Sequence, residues 1–231
     1  MSILFALIYA SPAFVGFESE RVLRENRLKV RDYSACVVKK HPADAAAAVM
    51  SIEDNAELAK KYPKVIDPYC FSGFTDSMAF SGDLLRYGLA DALVRKELAG
   101  VQNLDPSLIS PLVHRDPAPP LSLNAVKETT ANDKTLRLKR YGFAVAVAYA
   151  QVSRLGECVI RANPTGAYRL LKSDVTAPDE TVAMRALGPS LSICLDKGNT
   201  LHLTHEVLRG TIALNYYRLL KAPRIAAGAP H

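Results

Sequence analysis

The sequence predicts a mainly α-helical protein: a helical domain around a central buried helix, with a short N-terminal β-hairpin allowed and extended terminal arms. Three observations carry this expectation. Residues 134–161, KTLRLKRYGFAVAVAYAQVSRLGECVIR, form the most apolar long run of the chain. Helix start and stop signals recur on both sides of it, among them Pro42, Gly100, Pro178 and Thr204. Hydrophobic residues make up 49% and charged residues 23%, the balance of a chain that buries a core.

Within the central run, residues 141–152 alternate large and small side chains, so a strand would carry Tyr141, Phe143, Val145, Val147 and Tyr149 on one face. Against this stand the alanines, good helix formers, and the lack of proline between Leu136 and Leu155. The run is too long for an ordinary strand, and length favours a helix with Leu136, Arg140, Phe143, Val147, Ala150 and Arg154 along one stripe.

Around this run the chain divides into an N-terminal lobe with an apolar arm over 1–104, a Pro-rich connector over 105–121, and a C-terminal helical lobe and tail over 122–231. Residues 3–9 and 13–17 are apolar around Ser11-Pro12 and suit a hairpin, or an arm that packs on a neighbouring subunit. Residues 18–31 are densely charged, with Arg21, Arg24 and Arg27 at helical spacing and Arg27, Lys29 and Arg31 alternating as a strand would. Residues 43–62 read as one helix, opened by Pro42 and Asp44 and closed by Lys60-Lys61. Turn residues fill 65–82, where Phe71, Phe74 and Phe80 are expected to plug the core rather than stack bases. Residues 83–99 form an amphipathic helix that ends at Gly100.

The prolines at 106, 111, 117, 119 and 120 prevent a helix through the connector. Beyond the central run, short helices are expected over 167–172 and 179–187, the latter behind Pro178 and stopped by Gly188-Pro189, while 191–195 suits a strand or a helix start. Residues 203–220 form the last helix, capped by Thr204, and 222–231 form a tail with no core of its own.

The formal charge of +6 favours an anionic partner. Two basic patches are the candidate nucleic-acid contacts: Arg21, Arg24, Arg27, Lys29 and Arg31, and then Lys134, Arg137, Lys139 and Arg140. Cations in the first turns of a helix oppose its dipole, so the second patch calls for another reason, such as phosphate. Cys36, Cys70, Cys158 and Cys194 are widely spaced, with no CxxC pair and no clustering with histidine, and they read as buried free thiols in a reducing compartment. The N-terminal run is short and lacks a basic start, which argues against a leader, and no stretch matches a bilayer span. The expectation is a soluble intracellular protein with no membrane partner.

Catalytic signatures do not appear: there is no phosphate-binding glycine loop, no GxSxG elbow and no HExxH. His202 and His205 lie beside Glu206 without a third ligand, so neither metal nor cofactor is expected, and the acid pairs Glu53-Asp54 and Asp179-Glu180 read as helix residues that are solvated or offset the helix dipole. The reading that follows is a non-enzymatic, self-assembling coat or nucleocapsid-like subunit that holds single-stranded RNA through its phosphates. The alternatives are an accessory subunit with an acidic protein partner, or an enzyme whose site has no local motif.

Overall fold

The computed structural model describes residues 20–53, 55–71, 83–98, 104–116, 133–195 and 203–224, with the backbone alone at 55–56 and 133–145. The fold is mainly α, with no strand among the described residues. The possible hairpin over 3–17, Phe74, Phe80 and the end of the tail lie outside the described residues.

The first helix, α1 (Glu20–Lys40), takes up the charged stretch and continues into the apolar face of Tyr33, Val37 and Val38. Residues expected as one helix over 43–62 form two, α2 (Pro42–Met50) and α3 (Asn55–Lys61). The break comes at Ser51, whose extended backbone (φ −68°, ψ 145°) ends α2. Two 3-10 turns, Pro63–Val65 and Pro68–Phe71, lead on to α4 (Leu84–Glu97). Phe71 plugs the core as expected, its ring centroid 4.5 Å from that of Tyr33.

Among the described residues 104–116, the connector has one 3-10 turn at Pro106–Leu108 and no other helix. The central run is the helix α5 (Asp133–Ala162), because its alanines and freedom from proline permit an uninterrupted helix of 30 residues. It is followed by α6 (Pro164–Lys172), α7 (Pro178–Ala186), α8 (Gly188–Cys194) and α9 (His205–Lys221). Asn163 caps α6 by accepting from Gly166 N–H, and Thr204 caps α9 by accepting from Val207 N–H. The most enclosed of these helices is α9, buried without interruption from Leu208 to Leu219.

The two halves share one plan. Counted from Cys36 and Cys158, each half places a proline at the start of its second helix (Pro42, Pro164) and an extended serine at that helix's end (Ser51, Ser173). Both halves bury Val37 and Val159, Val38 and Ile160, Ala45 and Ala167, Val49 and Leu171, and Val65 and Leu187 at matching positions. Both then end in a helix with Leu-Arg at its start, Leu85-Arg86 in α4 and Leu208-Arg209 in α9. In the first unit α4 packs on α1 and α2, and in the second α9 packs on α5 and α6. Between the units α4 packs on α9, and one continuous core runs through both.

A disulfide staples each unit. Cys36 pairs with Cys70 and Cys158 with Cys194, with Cα atoms 5.6 and 5.8 Å apart. The expectation of free thiols is therefore overturned. Partners separated by 34 and 36 residues leave no local spacing signal, since only the return of the chain past the first helix of each unit brings them together.

Candidate functional site

The matched packing of α1 on α4 and α5 on α9 leaves two clefts at corresponding places. The first has a volume of about 310 Å³ and lies among α1, α4 and α9, with Tyr149 at its edge. Its apolar walls include Leu23, Val30, Leu84, Tyr87, Val175 and Val207, and Asn26, Arg27, Thr204 and Glu206 supply polar groups. The second lies among α4, α5 and α9 and is only about 30 Å³. The connector closes it, because Arg115 forms part of its lining.

Arg27 and Glu180 organise the wall of the open cleft. Arg27 Nη2 donates to Glu180 Oε1 at 2.7 Å, while its Nε lies 3.1 Å from Glu206 Oε1. Arg209, 4% exposed, donates to the same Glu180 oxygen at 3.1 Å, to Asp91 Oδ1 at 3.0 Å and to the carbonyls of Leu170, Leu171 and Ser173 at the end of α6. Burial pushes the Glu180 carboxyl up, but hydrogen bonds from Arg27 and the Thr176 N–H, with the charges of Arg27 and Arg209, outweigh it and hold the carboxyl below its ordinary range. Glu180 is thus a buried ion-pair centre at 1% exposure, not the solvated helix acid expected. Its chain neighbour Asp179 is acidic too, so the local sequence cannot tell which of the two turns inward.

A second polar group fastens the connector. His114 Nδ1 lies 2.8 Å from Ser153 Oγ and His114 Nε2 lies 2.6 Å from Glu157 Oε2. Glu157 Oε1 accepts from Leu112 N–H at 3.0 Å and from Arg161 Nε at 2.8 Å, and Arg161 also donates to the Pro106, Ile109 and Ser110 carbonyls. Burial raises the Glu157 carboxyl, yet His114, Leu112 N–H and Arg161 together bring it below its ordinary range. Serine, histidine and carboxylate in this order suggest a nucleophilic relay. The space beside Ser153, about 30 Å³, has room for a water or two or a small ion and not for a peptide or ester substrate. The triplet is a latch that holds residues 104–116 against α5.

The basic residues singled out in the sequence fall into different settings. Arg21 lies 3.8 Å from Glu25, Arg24 Nε donates to Thr176 Oγ1 at 3.4 Å, and Arg31 Nη2 lies 2.7 Å from Asp32. Arg27 is committed to Glu180 and Glu206, and Lys29 is partly buried. Lys134, Arg137, Lys139 and Arg140 occupy the first turns of α5, where side chains lie outside the described residues. His205 is exposed at the start of α9, and no group of residues suited to hold a metal ion occurs among the described residues. No described helix is long and apolar enough to cross a membrane. No protein family, curated protein or solved structure matches this chain.

Proposed function

We propose that this protein is a non-enzymatic binding protein of an oxidising compartment, which takes an amphipathic ligand into the open cleft between α1, α4 and α9. The observation that carries this reading is the contrast between two equivalent clefts, one narrowed to about 30 Å³ with Arg115 of the connector in its lining and the other open at about 310 Å³, a volume at the lower end of small-molecule sites. Apolar walls suit the body of such a ligand, and the Arg27–Glu206 pair with Asn26 suits its polar head. The disulfides support the compartment, because a reducing cytosol would open them.

Titration with an amphipathic fluorescent probe such as anilinonaphthalene sulfonate tests the cleft. One saturable site is expected in the native protein, lost in Val207→Trp, which fills the cleft and adds the sole tryptophan of the chain. Binding that is absent, or unchanged by the substitution, would overturn the reading.

A self-assembling nucleic-acid subunit is the second reading. It is favoured by Lys134, Arg137, Lys139 and Arg140 on the first turns of one helix, where phosphate would offset the unfavourable dipole. The α1 patch supports it less, since Arg27 and Arg31 already face carboxylates. Light scattering with absorbance at 260 and 280 nm distinguishes the readings: large, salt-sensitive particles rich in single-stranded RNA support assembly, and alanine at Arg137, Lys139 and Arg140 should abolish them. An RNA-free small species, or one that binds an acidic protein instead, counts against it.

A further inference from the structure

The closed cleft differs from the open one in charge as well as in volume. In the open cleft Arg209 is neutralised by Asp91 and Glu180. Its counterpart in the first unit, Arg86, is a lining residue of the closed cleft, where the positions matching Asp91 and Glu180 are the apolar Leu214 and Leu58. Two further guanidinium groups, Arg115 and Arg218, line the same small space, whose one carboxylate among the described residues is Asp83. Asp83 Oδ1 lies 3.6 Å from Arg86 Nη1, close enough for charge pairing but not for a hydrogen bond, and Arg86 Nη2 donates to the Glu53 carbonyl.

Arg218 is 8% exposed. One arm donates to the Val113 carbonyl, and its Nε is buried with no hydrogen-bond partner among the described residues. Arg115 Nη1 is in the same position. Burial and the neighbouring Arg86 guanidinium push Arg218 below the ordinary arginine value, with Glu157 opposing. Glu157 cannot serve as a dedicated counter-ion, because His114, Leu112 N–H and Arg161 take up its oxygens. Water could accept from the two unfilled donors but would leave the excess positive charge uncompensated.

We infer that the closed cleft is a binding site for a small inorganic anion, held by Arg115 and Arg218 and favoured by the charge of Arg86. The volume of about 30 Å³ exceeds what one water needs and suits a halide ion or the head of one oxyanion. Ser51 also lines the space, its Oγ accepting from Glu53 N–H. The bound anion ties the connector, through Arg115, to α4 and α9. This site does not depend on the ligand reading of the open cleft.

The test begins with protein exchanged into gluconate, an anion too large for the space. Chloride, bromide or phosphate is then added at constant ionic strength while thermal unfolding is followed. At least one is expected to raise the melting temperature saturably, as mass action requires of a ligand bound to the folded state. Arg218→Gln should weaken that response about tenfold or more, the effect of one charge-assisted hydrogen bond. Arg115→Gln, on the half-buried connector, should do the same with the native circular dichroism retained. A response to halides alone identifies a halide site, and one to phosphate alone identifies an oxyanion site; bromide anomalous scattering from a crystal should then show a peak beside Arg218 in the first case. Equal responses to all three salts that survive both substitutions would overturn the proposal.

Discussion

Tyr87 and Gly210 occupy matching positions in the two units, and they meet: a β-carbon added at Gly210 would come within 2.5 Å of the Tyr87 side chain. An alanine in a helix interior ordinarily gains up to about 1 kcal/mol over glycine. Here the sign should reverse, because overpacking a filled contact costs about 1–3 kcal/mol. Urea unfolding of Gly210→Ala is expected to show a loss, and a gain would mean that α4 and α9 are not held at this separation. The same logic sets Gly156 against Thr211 in one unit and Gly88 against Ser34 in the other, with the small partner exchanged between helices.

Glu180→Leu places in the second unit the residue that the first has at Leu58. It leaves Arg27 and Arg209 with part of their positive charge uncompensated in the core, and the loss should be about 3–5 kcal/mol, as for a broken buried pair. Replacing Arg27 and Arg209 by methionine in the same chain should recover much of it. A Glu180→Leu variant as stable as the native protein would show that the ion-pair centre contributes nothing to the fold.

Glu180 also predicts an acid limb. Its carboxyl is held below the ordinary range in the folded protein, so the unfolded chain binds the proton more readily. The stabilisation is complete above the unfolded value of about 4.3 and is lost as pH falls from there through the lower folded value. Glu180→Gln should flatten this part of the stability profile. Parallel profiles for the two proteins between pH 5 and pH 2 would refute the assignment.

Without reductant, thiol titration of the unfolded protein should find no free cysteine, and with reductant it should find four. Each closed loop, 34 and 36 residues long, should contribute about 4 kcal/mol by the chain-entropy relation. Reduction should therefore lower the melting temperature sharply, and Cys158→Ser with Cys194→Ser should reproduce about half of the effect.

Glu157→Gln should weaken the latch at His114 and Arg161. Limited proteolysis is the measurement: cleavage within 104–116 should become faster while the helices on either side stay protected. Unchanged cleavage would place the hold on the connector elsewhere, with Arg161 and its contacts to Pro106, Ile109 and Ser110 the first candidate.

Much of the secondary structure was legible because its signals are local. Pro42 and Asp44 at the start of α2, Pro178 at the start of α7 and Thr204 before α9 all act within a turn of where they stand, whereas the helix expected from Ala167 begins at Pro164, capped by Asn163. The break at Ser51 was not legible, since alanines and lysines on either side favour continuing the helix and only its matching partner Ser173 reveals the pattern. The repeat is not legible in the sequence because its shared positions are single buried residues spread among dissimilar exposed ones. Of the site, Arg27 stands out in the sequence as a phosphate contact but faces Glu180 and Glu206, Glu180 stands out only as half of an acid pair on a helix, and Arg86, Arg115 and Arg218 carry no mark in the sequence.

By itself the sequence determined that this chain would be helical and where most of its helices would begin and end, since caps, prolines and alanine runs act on the backbone beside them. Only the tertiary structure decided which cysteines pair, which acid of Asp179-Glu180 is buried, and which of two equivalent clefts is open. Those outcomes depend on contacts between residues far apart in the chain. Arg209 and Asp91, or Arg27 and Glu180, acquire their energies from desolvation and charge only once the two units have packed together.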